Sequence, residues 1–346
     1  MIRTRGGNEP LLHGGDLDAA RRQFPGAPEP FIDLSTGINP HPYPLPRFSA
    51  DLFARLPQPA AAAAIAAAAA RAYGARSVDD IVPAPGTQIL LPLVAALVRP
   101  CRAAVLAPTY PEHARVAALA GHHVQAVRGI DACKDAGLVI IGNPNNPDGR
   151  LQTRPALLGL ARDLHHRGGL LVVDEAFMDV GPPEASLAAE VSCGNVVVLR
   201  SFGKFFGLAG IRLGFAITAP TLATRLRAAL GPWAVSGPAL AAGAKALADA
   251  AWREQTRRRL EKVAKRLDAM LNGSGLDIVG GTSLFRLART PEADALFHHL
   301  GRAGILVRAF PEDPNWLRFG LPANRREWQR LKAALASFRD STKGRG

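Results

Sequence analysis

The chain has 346 residues, of which 48% are hydrophobic, and its formal net charge at pH 7 is +13. This length suggests two domains, or one large domain with a smaller appended one, and the apolar content argues against disorder. The three cysteines, Cys101, Cys133 and Cys193, are scattered and lack metal-ligand spacing. They disfavour a disulfide framework and a metal site, and they are typical of a protein from a reducing cytoplasm.

The N-terminal stretch MIRTRGGNEPLLHGG has no apolar segment of the signal-peptide kind, and the longest aliphatic run, 89–98, is about half a membrane span. Much of the positive charge lies in 253–270, where apolar residues recur at helical spacing. This pattern favours a solvated helix face over a nucleic-acid surface, since no aromatic residues are interleaved. We therefore expect neither a nucleic-acid partner nor a membrane.

The predicted elements begin with a proline-rich segment, 25–46, around the short strand FIDLS, and with an alanine-rich helix, 60–73, that ends at Gly74. A helix over GTQILLPLVAALV and one over 154–168 follow. Short aliphatic strands are predicted in the same part of the chain, at 103–108, 137–144, 170–176, 196–202 and 212–218. After about 236 the pattern is helical, with strands at 283–288 and 305–310.

Continuous aliphatic strands that alternate with helices indicate an α/β fold with a mostly parallel sheet covered on both faces. The last third of the chain indicates a second, smaller α+β domain. The predicted division is an N-terminal arm with part of the small domain (1–45), a large domain (46–235) and a C-terminal small domain (236–346). In such sheets ligands bind at the carboxyl ends of the strands.

Polar residues follow each of three strands at that edge. Asn143-Pro-Asn-Asn146-Pro ends one strand, Asp174-Glu175 the next, and Ser201 with Lys204 the third. Singly, each has an ordinary explanation as a turn, a cap or a surface lysine. Together they supply what an aromatic aldehyde phosphate needs, which is an amine for the aldehyde, an acid for a ring nitrogen, and donors for a phenolate and a phosphate.

At this point the residues resemble the fold-type I pyridoxal-phosphate enzymes of the aminotransferase class I/II superfamily. SFGKFFGLAGIRLGF is similar to that family's S-x-x-K-x-x-G-L-x-G-x-R-x-G signature, NPNNPDG to its N-P-x-N-P-T-G loop, and DEAF to its D-E-A-Y turn. The resemblance covers roughly 10 to 335. It implies pyridoxal 5'-phosphate as cofactor, a large domain with a mostly parallel seven-stranded sheet, and a homodimer.

The resemblance also implies the roles of individual residues. Lys204 would bond covalently to the cofactor aldehyde, Asp174 would pair with the ring nitrogen, and Asn146 would hydrogen-bond the ring oxygen. The ring would stack on Tyr110, for which a place in the core is the alternative. The phosphate would be held by a helix start and two further side chains, that is by Gly86, Thr87, Gln88, Ser201 and Arg212.

The N-terminal arm resembles that of the threonine-phosphate decarboxylases of cobalamin biosynthesis, in particular the branch called cobalamin biosynthetic protein C. Phe177 stands where many aminotransferase relatives carry a tyrosine whose hydroxyl reaches the ring oxygen. The implied anchors for a substrate with both a phosphate and a carboxylate are His13, Gly14, Gly37, Asn39, Asn146, Arg308 and Arg318. For the His13 and Asn39 segments, simple turns are the alternative.

The implied reaction is decarboxylation of L-threonine O-3-phosphate to (R)-1-amino-2-propanol O-2-phosphate. The alternative is an aminotransferase acting on histidinol phosphate, against which Phe177 and the arm argue. A third hypothesis is a basic binding protein that kept the fold and lost the chemistry, against which the intact lysine, aspartate and arginine argue. One departure bears on a site shared between subunits: Leu56 stands where relatives usually have a tyrosine that reaches the neighbouring cofactor.

Overall fold

The computed structural model describes residues 14–343, and for the last three of these only the backbone. The chain divides into two units by its internal contacts. Of the described residues, the large unit comprises 38–268 and 279–286, and the small unit comprises 14–37, 269–278 and 287–343. The sequence places its boundaries after residues 45 and 235. By contacts the first boundary falls earlier, after 37, and the second falls later, because the long helix that begins at Ala250 contributes its first nineteen residues to the large unit.

The elements are numbered in chain order. The helices are α1 Leu17–Gln23, α2 Asp51–Ala54, α3 Pro59–Tyr73, α4 Thr87–Ala95, α5 Glu112–Leu119, α6 Arg154–His165, α7 Phe202–Phe205, α8 Pro220–Leu230, α9 Gly237–Ala248, α10 Ala250–Gly273, α11 Ala293–Arg302 and α12 Arg325–Lys343. The strands are β1 Ile32–Asp33, β2 Ile81–Ala84, β3 Arg102–Leu106, β4 His123–Val127, β5 Leu138–Gly142, β6 Leu170–Asp174, β7 Val196–Ser201, β8 Gly214–Thr218, β9 Asp277–Thr282, β10 Phe285–Arg289, β11 Ile305–Leu306, β12 Arg308–Ala309 and β13 Trp316–Gly320.

The large unit is built on a seven-stranded sheet in the order β2-β8-β7-β6-β5-β3-β4. Strands β4, β3, β5, β6 and β7 pair in parallel, and β8 alone runs antiparallel, between β7 and β2. The central strands are fully buried, as expected for a sheet with helices on both faces. The predicted mostly parallel seven-stranded sheet is confirmed.

Local sequence chemistry explains where several of these helices begin and end. The alanine-rich stretch forms α3 and stops at Gly74, which adopts the left-handed conformation (φ 74°) that favours glycine. Helix α6 begins after Thr153, whose side chain accepts from the Ala156 amide, and Pro155 follows in the first turn. The helices thus lie where the composition placed them.

The small unit contains a two-stranded parallel sheet, β1-β11, and most of a four-stranded sheet in the order β12-β13-β10-β9. A cluster of Ala20, Phe24 and Phe31 is buried within it, with Phe24 packed edge-on against Phe297. The predicted α+β character of this part of the chain is observed. Among the residues described, no helix combines the length and apolarity needed to cross a membrane.

The sequence missed strands β2, β4, β9 and β13. Strand β4 lies at the edge of the large sheet, and only Val127 of its five residues is buried. Strand β2 has four residues and contains a proline, Pro83. Neither segment has the continuous aliphatic run that identifies a buried strand, so periodicity does not distinguish it from a loop.

We expect Leu138→Ala to lower the free energy of unfolding by about 2–5 kcal/mol, because Leu138 is fully buried in β5 and its truncation leaves a cavity. Chemical denaturation of both proteins measures the difference. Leu151→Ala is the control, since Leu151 is 41% exposed and should change the stability by less than about 0.5 kcal/mol. Equal losses in the two variants would contradict the assignment of this core.

Candidate active site

The register of the large sheet aligns the polar strand ends at one edge. Gly142 of β5 lies beside Asp174 of β6, and the Asn143 amide donates to the Asp174 carbonyl at 2.8 Å. Ser201, at the end of β7, lies beside Gly214 at the start of β8, which in turn pairs with Ala84 of β2. The structure therefore brings the segments that follow four strands to the same edge of the sheet, as the sequence predicted.

One end of this edge is suited to a phosphate. Gly86 precedes α4, has φ 90°, and a Cβ on it would lie 2.9 Å from Nη2 of Arg212. Arg212 itself is in the left-handed region (φ 52°) and donates to the Ala209 carbonyl at 3.0 Å. A Cβ on Gly214 would lie 2.6 Å from the Thr87 amide nitrogen. Gly86 thus lets a guanidinium approach the start of α4, and Gly214 lets β8 lie against the same helix start, where the helix dipole also favours an anion.

Asp174 lies at the centre of the edge, with its side chain 12% exposed. Its Oδ2 is 2.8 Å from Nε2 of His113, and its Oδ1 accepts from the Ala176 amide at 3.0 Å. The His113 ring is buried, and the bond to a carboxylate requires the proton on Nε2. Hydrogen bonds to both oxygens orient the carboxylate, and an ionised carboxylate is the form that pairs with a protonated ring nitrogen.

Sequence reasoning missed His113. Its Nδ1 lies 3.3 Å from Oγ1 of Thr109, and Thr109 donates to Oδ1 of Asn145 at 2.7 Å. The chain TYPEH places His113 one helical turn after Thr109, on the first turn of α5. The available signal in the sequence was a histidine in the first turn of a helix that follows a strand. Its distance to Asp174, however, depends on the pairing of β3, β5 and β6.

The loop that follows β5 contains three asparagines, which have different roles. Asn145 donates to the Pro108 carbonyl at 2.8 Å and to Oδ1 of Asp148 at 2.7 Å. Asn143 accepts from the Gln152 amide at 2.8 Å. These bonds hold the loop in shape. Asn146, predicted to contact the cofactor ring, directly follows Asn145 and is half-buried.

Tyr110 is linked to the start of α4. Its hydroxyl donates to Oε1 of Gln88 at 3.2 Å, and Gln88 donates to Oε2 of Glu112 at 2.8 Å. Glu112 is buried and is also 3.0 Å from Nη1 of Arg115. The structure therefore joins two predicted cofactor residues, Tyr110 and Gln88, and shows that Glu112 and Arg115 orient them.

Lys204 lies on the four-residue helix α7, which follows β7 directly. Its Nζ is 5.9 Å from the centroid of the Phe177 ring, and Phe177 packs edge-on against Phe285 at 5.0 Å. The neighbours Phe202, Phe205 and Phe206 are fully buried, whereas Lys204 is only half-buried. The apolar side chains next to the lysine therefore anchor this turn in the core.

A buried ion pair lies beside these residues in sequence. Arg200 Nη1 is 3.2 Å from Oε2 of Glu175, and both side chains are almost completely buried. Glu175 also accepts from Oγ of Ser186 at 2.7 Å and from the Leu187 amide at 2.8 Å. Burial raises the pKa of the Glu175 carboxyl, and Arg200 opposes that shift. The pair joins the ends of β6 and β7, whose adjacent residues are Asp174 and Ser201.

Two of the predicted substrate residues lie in the small unit on paired strands. Arg308 of β12 is directly opposite Arg318 of β13. Arg318 is buried, and its Nη2 donates to the Ser35 carbonyl at 2.6 Å. Burial and, to a smaller extent, the charge of Arg308 lower the pKa of the Arg318 guanidinium to about 9, against the opposing effect of Asp33. Two adjacent buried or half-buried cations create a strong demand for an anion.

Gly14 approaches the same part of the small unit. A Cβ on Gly14 would lie 2.5 Å from the Ser35 carbonyl oxygen, and the next amide, of Gly15, donates to Oγ of Ser35 at 2.8 Å. Ser35 Oγ in turn donates to Oδ1 of Asp33 at 2.6 Å. Gly37 follows two residues after Ser35, and His13 lies outside the described residues. The structure thus places Gly14 and Arg318 against the same group, the Ser35 carbonyl.

Asn39 lies in the large unit and is buried. Its Nδ2 donates to the Phe205 carbonyl at 2.9 Å, and its Oδ1 accepts from the His41 amide at 2.9 Å. Leu56, the departure from relatives noted above, follows α2 and is 60% exposed.

The residues of the large unit fit pyridoxal phosphate. The glycine-lined cradle beside Arg212 suits a phosphate, Asp174 has hydrogen-bonded oxygens, and Lys204 and Tyr110 follow the same sheet edge. An amine, an acid, an aromatic ring and an anion cradle are the four groups that an aromatic aldehyde phosphate requires. All four groups are present, which argues against the third hypothesis, a binding protein without this chemistry.

The chain is similar to known proteins over most of its length. The model of the family "Aminotransferase class I and II" matches residues 32–335. A threonine-phosphate decarboxylase from Sinorhizobium sp. is 44% identical over 330 residues, covering 94% of this chain and 98% of that protein. A threonine-phosphate decarboxylase from Pseudomonas aeruginosa is 41% identical over 333 residues, covering 95% and 98%.

A solved structure is similar over nearly the whole chain. The histidinol-phosphate aminotransferase from Sinorhizobium meliloti, determined in complex with pyridoxal-5'-phosphate, superposes with a TM-score of 0.81 at 22% sequence identity. The match covers 97% of this chain and 96% of that one. At this identity the likeness shows a shared fold, and it confirms the predicted fold class.

We expect His113→Ala to weaken binding of pyridoxal phosphate by about tenfold or more, because Asp174 loses a charge-assisted hydrogen bond. Fluorescence titration of the cofactor-free protein measures the affinity. His113→Gln, which can present an N–H at a similar place, should recover part of it. His122→Gln is the control, since His122 is equally buried but bonds the Ala95 carbonyl. An unchanged affinity in His113→Ala would show that this contact does not support Asp174.

Proposed function

Because the chain belongs to the class I and II aminotransferase family, we propose that it is a pyridoxal-phosphate-dependent enzyme that decarboxylates L-threonine O-3-phosphate. The products are CO2 and (R)-1-amino-2-propanol O-2-phosphate, which supplies the linker of the cobalamin nucleotide loop. The observation that supports the reaction is the 41–44% identity, over 94–95% of the chain, to two proteins of that name. The cofactor cradle supports the chemistry.

The cofactor, when bound, supplies an electron-accepting ring. Asp174 would accept a hydrogen bond from the protonated ring nitrogen, and its two hydrogen bonds orient it for that task. Asn146 would donate to the ring oxygen and Tyr110 would cover one face. Gly86, Thr87, Gln88, Ser201 and Arg212 would bind the phosphate.

The substrate anions would be held by the paired arginines, with Arg318 on the carboxylate and Arg308 on the phosphate. His13, Gly14 and Gly37 are further anchors implied by the resemblance. Holding both anions orients the bond between Cα and the carboxylate, and this orientation decides which bond breaks. The Lys204 amine would then deliver a proton to Cα, so that a proton replaces the departing CO2.

Two features favour decarboxylation over transfer of the amino group. Phe177 has no hydroxyl to offer the ring oxygen, and its ring packs on Phe285. The two decarboxylase relatives also match more of the chain than the histidinol-phosphate aminotransferase from Mycobacterium bovis, which is 34% identical over 76% of it.

We also propose a cytoplasmic homodimer. All three cysteines are free, as expected in a reducing compartment. Large apolar side chains of the large unit are exposed, including Phe53, Leu56 and Trp233, and a second copy of the chain would cover them.

The reaction is tested by mixing the cofactor-loaded protein with L-threonine O-3-phosphate in the absence of a keto acid. We expect one CO2 and one aminopropanol phosphate for each substrate consumed, and no product from Lys204→Ala. Lys245→Ala is the matched control, since Lys245 is a lysine of α9 in the same unit. Conversion of histidinol phosphate with 2-oxoglutarate, without CO2 release, would assign the chain to the aminotransferases instead.

The lowered pKa of Arg318 predicts a pH dependence of substrate binding. Its positive charge is present below about pH 9 and is lost above it, so affinity for threonine phosphate should fall by up to about tenfold per pH unit above that value. Aminopropanol phosphate is the control, because it has the same amine and phosphate but no carboxylate. Parallel losses for both ligands would contradict the role of Arg318 as the carboxylate anchor.

A further inference from the structure

The backbone that presents Lys204 is not self-supporting. Helix α7 has four residues, Phe202–Phe205, far fewer than the roughly 12–15 that an isolated helix needs. The last carbonyl groups of any helix have no partner within it. In so short a helix these are the carbonyls of Lys204 and the residues next to it. The Lys204 carbonyl accepts from the Gly207 amide at 3.2 Å within the turn, and the further partners of these carbonyls decide where the lysine lies.

A segment from elsewhere in the large unit supplies those partners. We call residues 39–43, Asn-Pro-His-Pro-Tyr, the strap. The Asn39 amide donates to the Lys204 carbonyl at 2.9 Å, Nδ2 of Asn39 to the Phe205 carbonyl at 2.9 Å, and the Tyr43 amide to the Phe206 carbonyl at 2.8 Å. We call residues 204–207 the lysine turn. Three of its consecutive carbonyls are therefore bonded to the strap.

All backbone donors of the strap are used. Pro40 and Pro42 have no N–H, and their rings restrict the backbone to an extended form. The third amide, of His41, donates to Oδ1 of Asn39 at 2.9 Å. This bond orients the Asn39 amide so that its nitrogen faces the Phe205 carbonyl. The side chain thus makes one bond within the strap and one to the lysine turn.

The far end of the strap and the end of the turn are fixed as well. The Tyr43 hydroxyl donates to Oδ2 of Asp249 at 3.2 Å, and the Tyr43 ring packs edge-on against Trp252. Gly207 closes the turn with φ 67°, and a Cβ on it would lie 2.7 Å from both the Asn39 carbonyl oxygen and Cα of Pro42. The turn and the strap are in contact with no space for a side chain between them.

We propose that Asn39 is a positioning residue, which sets the place of the Lys204 backbone, and that it does not bind the substrate. Asn39 is 1% exposed and both polar atoms of its side chain are engaged. Contact with a substrate would require it to give up the bond to Phe205. The proposal depends on Lys204 holding the cofactor, as proposed above, and not on the identity of the substrate.

The test is made without substrate. Asn39→Ala removes the side-chain donor, and Asn39→Asp keeps the shape and the acceptor for His41 but places an oxygen against the Phe205 carbonyl. We expect both variants to raise the dissociation constant for pyridoxal phosphate about tenfold, the loss of one buried hydrogen bond. We also expect the pH midpoint of the absorption band of the Lys204-linked cofactor to shift.

Asn195 provides a matched control. It is also a buried asparagine of the large unit, and its Nδ2 donates to the carbonyls of Ala161 and Gly169 at 2.8 and 3.2 Å. Asn195→Ala should cost a similar stability and leave both cofactor measurements unchanged. If it alters them as much as Asn39→Ala does, the effect is general destabilisation and the proposal is wrong.

A substrate role would give a different pattern. The Michaelis constant of Asn39→Asp for threonine phosphate would rise while the cofactor affinity and the absorption midpoint stayed those of the wild type, and this result would overturn the proposal. A different outcome would refute the proposed substrate instead. In that case the wild-type protein would bind the cofactor with the expected absorption band but would not decarboxylate threonine phosphate.

Wild-type protein provides a further measurement if neither variant folds. Hydrogen exchange of peptides covering 39–43 and 204–207 should show the same protection in the two segments, because they open together if the strap holds the turn. Exchange in the strap about a hundredfold faster than in the lysine turn would show that the bonds do not persist, and would overturn the proposal.

Discussion

The hydrogen-bonded register of the central strands is the constraint on which the rest of this site depends. Asp174 is level with Gly142 on one side and with Leu199 on the other, and Ser201 is level with Gly214. A shift of one residue in any of these pairs would turn every side chain of that strand to the other face. The acid, the lysine turn and the phosphate cradle are close together because these strands end at the same level.

The alternation of side chains along a strand gives each strand end two tasks. Asp174 and Ser201 belong to the cofactor edge, whereas their neighbours Glu175 and Arg200 form a buried ion pair. A buried pair need not add stability, but removing one partner leaves an uncompensated charge at a cost of about 3–5 kcal/mol. Glu175 directly follows Asp174, and Arg200 directly precedes Ser201. The ion pair therefore holds the ends of the two strands together.

Much of this arrangement was predictable. The signature around Lys204 and the strand ends at Asn146 and Asp174 stand in local sequence patterns, and their order along a parallel sheet implies a shared edge. The supporting contacts were not predictable, because they join residues far apart in the chain. His113 reaches Asp174 across 61 positions, and Asn39 reaches Phe205 across 166. Strand β4 was missed because an exposed edge strand has no apolar run.

The sequence by itself determined the family and the fold class, and it supplied the candidate reacting groups, because these depend on short-range patterns of residue type and spacing. Tertiary structure alone decided how those groups are held. The partner of the Asp174 carboxylate, the approach of Arg212 to Gly86 and the donors to the Lys204 turn all depend on strand register and on backbone contacts between distant segments. Pattern along a chain specifies which groups are present, and packing in three dimensions specifies the distances between them.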